Sequence, residues 1–240
     1  AHGGLLAFDE EYEHSACRAG ADLWVWSMHK NLGAPTQTGV IFGRKSGINF
    51  SRLNAVLKMI QSSSPSYPLL AGLEHACSFV LRKGSWLFHK AKENAAGFKS
   101  FIMKNTPFRV LDIAGEENFP GIAGIDPTRA YISGREAGIS GQAVAEFLAQ
   151  NNIFAEYYEG HNVLFLFSAA HKQKEIDALT RALVHVDKKE KNSHSQIIYW
   201  PGWCIQEMNP RQAFFARTRE VLFHECAGEI SAQVLITYPP

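Results

Sequence analysis

Ala21-Asp22-Leu23-Trp24-Val25-Trp26-Ser27-Met28-His29-Lys30 is the stretch on which the reading of this chain turns. Its first six residues are mostly apolar and rich in β-prone types, and they read as a strand. A polar loop with Gly33 and Pro35 follows over 31–38, and a second strand-like run over 39–42. A lysine therefore sits on a loop at a strand's end, with Ser27 and His29 just before it. Its amine can condense with an aldehyde, while the Ser27 hydroxyl and the His29 ring can donate to a phosphate. Those functions side by side suit a pyridoxal 5'-phosphate site. Ser-x-His-Lys by itself also fits a surface lysine beside an ordinary turn.

Outward from this loop, residues 1–48 read as loop, short helix (10–20), strand, lysine loop and strand. That alternation predicts an α/β domain with a mainly parallel sheet. Residues 50–60 have helical spacing, with Leu53, Val56, Leu57 and Ile60 on one face. Pro65 interrupts the pattern. Residues 67–105 are helical again, as two helices or one long helix bent at Gly84, connecting a large domain to a smaller one. Beyond residue 106 the expectation is a compact α+β unit. Its strands fall at 108–111, 129–133, 153–157 and 163–167, and its helices at 141–151, capped by Ser140, and 172–186. The run Lys188-Lys189-Glu190-Lys191 reads as a solvated linker. The domains expected are thus 1–105, 106–187 and a C-terminal extension over 188–240.

Lys plus Arg number 24 against 23 for Asp plus Glu, a net charge of +1. This gives no electrostatic case for a nucleic-acid or anionic-membrane partner. Cys17, Cys77, Cys204 and Cys226 are scattered without C-x-x-C spacing, which argues against a zinc site or a disulfide framework. Such thiols fit a reducing, cytoplasmic setting. No run reaches the roughly 18 apolar residues of a membrane span.

The motifs around the lysine occur in a definite order. Ala1-His2-Gly3-Gly4, Gly20-Ala21-Asp22, Ser27-Met28-His29-Lys30, Thr36-Gln37-Thr38 and Gln61-Ser62-Ser63-Ser64-Pro65-Ser66-Tyr67 come first. Asp126-Pro127-Thr128 and Gly138-Ile139-Ser140-Gly141 follow. Met208-Asn209-Pro210, Ala213-Phe214, Ala227-Gly228, Ile230-Ser231-Ala232 and Tyr238-Pro239-Pro240 lie near the end. Together they resemble the Orn/Lys/Arg decarboxylase family, pyridoxal-phosphate enzymes of the aspartate-aminotransferase fold type I.

The resemblance implies roles for individual residues. Lys30 would hold the cofactor's aldehyde carbon and return a proton, and Ser27 and His29 would bind its phosphate. Ala1 would pack against one ring face, and His2 would lie near the ring hydroxyl as a second catalytic candidate or serve as a plain loop histidine. Thr36 and Gln37 would shape the lysine loop. Ser63, Ser64 and Ser66 fall in a stretch the family places near the dimer interface. One hydroxyl there, with Ser64 the candidate, would reach the neighbouring subunit's phosphate or simply cap the helix at Tyr67. No metal is implied. Two departures bear on substrate identity: Asn31-Leu32-Gly33-Ala34-Pro35 replaces the commoner Thr-Leu-Pro-Ala-Leu, and Gln233 stands where Glu is usual.

The expected function is decarboxylation of a basic amino acid, arginine first and lysine or ornithine next, by a homodimer or higher homo-oligomer. Another fold-type-I activity, such as an aminotransferase or aldolase, and a non-catalytic half-enzyme remain the alternatives. In the family, Ala-His-Gly follows an Asp-Glu pair whose Asp holds the pyridine nitrogen. The further expectations are therefore an internal or C-terminal fragment, inactive alone, or else a naturally short protein.

Overall fold

The computed structural model describes residues 3–10, 15–111, 124–186 and 208–230. A short 3-10 helix, Gly3–Phe8, leads to strand β1 (Leu23–Trp26), a single helical turn α1 (Met28–Asn31) and strand β2 (Val40–Gly43). Helices α2 (Phe50–Ile60) and α3 (Tyr67–Asn105) follow. Then come β3 (Arg109–Val110), β4 (Arg129–Ser133), α4 (Gly141–Gln150), β5 (Tyr157–Glu159), β6 (Asn162–Leu166) and α5 (Gln173–Val184). A last short helix is α6 (Pro210–Phe215).

The mixed α/β class holds, but every strand pair among the described residues is antiparallel, where the alternation suggested a mainly parallel sheet. β1 pairs with β2, Leu23 opposite Gly43 and Trp26 opposite Val40. The reason lies in the intervening loop. It holds one helical turn and closes on itself through the Thr38 carbonyl, which accepts the His29 amide at 3.4 Å. The chain therefore doubles back, whereas a parallel pair would need a full crossover connection.

The second sheet has the order β3-β4-β6-β5. Along β4 and β6, alternate residues turn inward: Ala130, Ile132, Val163 and Phe165 are buried and their neighbours half-buried. One covered face and one open face is the usual state of an antiparallel sheet. Phe98 and Ile102 of α3, Val144 and Leu148 of α4, and Ile176, Leu179 and Leu183 of α5 cover the inner face. The Ser140 hydroxyl accepts the Ala143 amide at 3.1 Å, capping α4 as its sequence predicts.

α3 is continuous over 39 residues, about 58 Å at 1.5 Å per residue. Gly84 is a contact point: a Cβ there would collide with the Phe8 ring. A second core gathers around this half of the helix, from Leu5, Met28, Leu32, Ala76, Val80 and Phe88. α3 thus runs from one core into the other. Asn94, buried near its middle, donates from Nδ2 to the Ser168 carbonyl at 2.9 Å and ties the helix to the end of β6.

Three further expectations shift. Residues 16–20 form turns rather than the end of a helix. The strand expected at 153–157 begins only at Tyr157, because the chain first turns at Asn151-Asn152, with Asn152 at φ 56°. α2 forms as predicted, yet none of its residues is fully buried, and Val56, Met59 and Ile60 are exposed. The extension over 208–230 is almost wholly exposed, including Phe214, Phe215 and Phe223.

Candidate functional site

The lysine turn is positioned from below. Met28 and Leu32 lie four residues apart, on one side of the turn, and are only 1% and 2% exposed within the smaller core. Gly4 of the 3-10 helix lets that helix close on Leu32; a Cβ there would sit 2.6 Å from Leu32 Cδ1. On the other flank, Gly72 of α3 meets Pro35, and a Cβ would overlap the proline ring. With both shoulders packed, Lys30 projects to the exposed side. Its Nζ has no hydrogen bond or ion pair among the described residues, so the amine stands open to a ligand.

Ser27 is the residue before the turn, with φ −78° and ψ 90°, yet its hydroxyl does not cap α1. Its carbonyl accepts the Lys30 amide at 3.0 Å. Among the described residues its side-chain oxygen makes no hydrogen bond, unlike that of Ser140, whose hydroxyl is spent on its helix.

His29 is fixed by the loop. Its Nδ1 lies 2.7 Å from the Thr38 carbonyl. A carbonyl oxygen only accepts, so Nδ1 carries the proton and Nε2 is the ring atom left over. Thr38 is itself buried, and its Oγ1 donates to the Pro35 carbonyl at 2.7 Å. Gln37 precedes it in the left-handed region at φ 71°, a sparsely populated conformation for a non-glycine residue. Gln37 thus turns the lysine loop through its backbone. The Thr38 carbonyl, which holds His29, was missed in the sequence because any residue type supplies a carbonyl.

Aromatic packing stiffens the strands beneath. Trp24 stacks on Phe42 with centroids 5.6 Å apart, and Trp26 meets the same ring at 4.5 Å. Trp24 Nε1 is buried without an acceptor. Ser64 lies on an exposed loop, where its amide bonds the Ser62 hydroxyl at 3.1 Å, and it has no bond to the lysine turn. Ala1 and His2 lie outside the described residues, as do Gln233 and the Tyr-Pro-Pro end. No group of metal-ligating side chains gathers among the described residues. No described helix is long and apolar enough to cross a membrane.

Comparisons with known proteins bear on the family and the fold. Residues 1–175 match the family described as "Orn/Lys/Arg decarboxylase, major domain". An arginine decarboxylase of Bacillus subtilis is 29% identical over the whole chain, which covers 50% of that protein. One from Halalkalibacterium halodurans is 30% identical, again across 100% of this chain and 50% of its own length. The chain therefore spans about half the length of the curated relatives it matches. Among solved structures, a lysine decarboxylase of Francisella novicida superposes on 75% of this chain and 30% of its own, with TM-score 0.64 and 23% identity. The constitutive lysine decarboxylase of E. coli superposes on 67% and 27%, with TM-score 0.58 and 24% identity. At these identities the structural likeness speaks for the fold.

Proposed function

This chain belongs to the Orn/Lys/Arg decarboxylase family, within the fold-type-I class, and on that premise we propose that its Lys30 turn is the cofactor-bearing element of a pyridoxal-phosphate-dependent decarboxylase of a basic amino acid. The observation that carries the reading is the lysine itself: an uncommitted amine on a turn whose flanks, Met28 and Leu32, are buried. The residues present fit the cofactor. Within four consecutive residues fall a hydroxyl that caps nothing, an imidazole with one nitrogen left over and an amine, the last two without a further partner among the described residues.

When bound, the cofactor supplies a conjugated ring that draws off the electrons of the broken Cα–carboxylate bond. The chain's own residues hold and orient. Lys30 would hold the cofactor through Nζ and could move a proton at that same nitrogen. Ser27 and His29 would hold its phosphate and so orient it toward Lys30. The packed shoulders, Leu32 beneath Gly4 and Pro35 against Gly72, keep the turn from swinging away. Ala1 and His2 belong to the proposal as a ring-face contact and a ring-hydroxyl neighbour.

Arginine is the first substrate to test, since relatives aligning over the whole chain are named arginine decarboxylases, with lysine and ornithine next. Assembly as a homodimer or larger, with Ser64 reaching a neighbour's site, is part of the same reading. It is supported by the exposed apolar face of α2 and the exposed Ser62–Ser66 loop beside it. The division near residue 105 and the cytoplasmic setting belong to the same reading; the two cores along α3 part between Phe88 and Ala95.

The test is carbon dioxide release from arginine, lysine and ornithine by the intact protein with pyridoxal 5'-phosphate. Release from one basic amino acid, lost in Lys30→Ala, is the expected result. A keto-acid-dependent amino transfer without carbon dioxide would replace the decarboxylase reading with an aminotransferase one.

A further inference from the structure

The Thr38 carbonyl takes two bonds from one residue, the His29 amide at 3.4 Å and the His29 ring nitrogen Nδ1 at 2.7 Å. We infer that this carbonyl fixes His29 as its Nδ1–H tautomer, so that His29 can hold a phosphate only when one extra proton is shared between them. The inference rests on the reading of the Lys30 turn as a phosphate-cofactor site.

The chemistry follows from counting protons. With Nδ1–H committed to Thr38, a neutral imidazole offers a bare lone pair at Nε2. A phosphate dianion offers only acceptors, so the two repel. Adding one proton turns the pair into a charge-assisted bond, whether it sits on Nε2 or on a phosphate oxygen. Where neither partner brings that proton, binding must draw it from solvent. The dissociation constant should then rise about tenfold per pH unit.

Thr38 is the positioning residue. Its carbonyl is held in place by burial and by its own Oγ1 bond to Pro35, and Gln37 enters it from a left-handed backbone. A flipped imidazole presenting Nε2–H outward would have to leave its lone pair at Nδ1 facing the carbonyl oxygen. That is an acceptor against an acceptor. Charged or titratable groups on the elements around the turn are Lys30 on the turn itself, Asp9 and Glu10 after the 3-10 helix, Asp22 before β1, Arg44 after β2, and Glu74, His75, Cys77, Arg82 and Lys83 on the facing half of α3, with Cys77 packed on the smaller core. No hydrogen bond from the His29 ring other than that to Thr38 occurs among the described residues.

The probe is 4'-deoxypyridoxine 5'-phosphate, which has the cofactor's phosphate but no aldehyde, so no covalent step with Lys30 enters. Its dissociation constant for the intact protein is measured from pH 7.5 to 9 by calorimetry, in two buffers of different ionisation enthalpy. The expected result is a rise of about tenfold per pH unit with uptake of nearly one proton. In His29→Gln, whose amide is a donor at every pH, the steep slope and the uptake both disappear. A pH-independent constant in the wild type overturns the inference while leaving the cofactor site standing. Failure of the probe to bind at any pH, together with no Lys30-dependent visible absorbance on adding pyridoxal 5'-phosphate, removes both. Should His29→Gln misfold, nitrogen-15 spectra of the wild-type histidines decide: His29 must show a protonated Nδ1 and a bare Nε2 at pH 8.5, and the reverse tautomer refutes it.

Discussion

The two ends of α3 sit in regions built on different terms. Toward its C-terminus, Ala95, Phe98 and Ile102 enter a core closed by a four-stranded sheet and two further helices, with Phe98 against both Phe165 (5.5 Å) and Phe167 (5.1 Å). Toward its N-terminus, Ala76, Val80 and Phe88 meet a smaller core whose other members come from the 3-10 helix and the lysine turn. The β1–β2 pair above that core leaves Leu23, Val25 and Ile41 exposed. The closed region has its hydrophobic pattern satisfied within the described chain; the open one carries the candidate chemistry. Under the proposed role of Lys30 its amine must stay reachable, and its supports, Met28 and Leu32, lie beneath it rather than around it.

The contrast predicts unequal consequences of truncation. Phe98→Ala should cost about 3–5 kcal/mol of unfolding free energy, read as a lowered urea midpoint, because the cavity is walled by rings on several elements. Cofactor affinity of the fraction that remains folded should not change. Leu32→Ala should cost less, about 2–3 kcal/mol, but should weaken pyridoxal 5'-phosphate binding at temperatures where the protein is still folded. Equal losses of affinity in the two variants would erase the distinction between the regions.

A finer probe is Gly84→Ala. A new methyl on α3 would press on the Phe8 ring and tilt the 3-10 helix that carries Leu5 and Gly4 against Leu32. Overpacking of this kind costs about 1–2 kcal/mol, and its effect should be confined to the open region. Hydrogen exchange would show faster opening of the lysine turn with β4 and β6 unchanged.

How much of this was legible in the sequence depends on where each element finds its partners. The strand at Arg129–Ser133 and the helix after Ser140 fall where the pattern placed them, because alternation, an N-cap and an apolar stripe agree there. Gly84 drew attention because a glycine in a helix weakens it locally; the ring that approaches it comes from 76 positions earlier in the chain, where no local pattern shows it. The parallel expectation for the first sheet failed because a loop that closes through its own backbone leaves no mark in residue types. At the site, Lys30, Ser27 and His29 were legible from their clustering. The direction in which His29 is held was not, since the Thr38 carbonyl sets it.

The smallest expected effect lies on the open face of the second sheet. Tyr131 and Tyr157 flank Leu164 across three strands, and burial, with the Glu159 charge adding to it, raises both phenol pKa values above 10, although the Asn162 bond works the other way on Tyr131. A raised folded-state pKa means the native protein holds its proton where the unfolded chain has lost it. The contribution is therefore complete below pH 10 and is lost as pH climbs through the folded value. Tyr131→Phe should flatten the fall in stability between pH 10 and 11.5, measured by urea unfolding, and leave pH 7 stability within about 0.5 kcal/mol of wild type.

Whether Lys30 bears the cofactor is decided by incubating the intact protein with pyridoxal 5'-phosphate, reducing with borohydride and mapping the modified peptide by mass spectrometry. A single phosphopyridoxyl group on Lys30 Nζ, absent from Lys30→Ala, is the expected result. Modification of another lysine with Lys30 untouched, or no stable adduct at all, would contradict it.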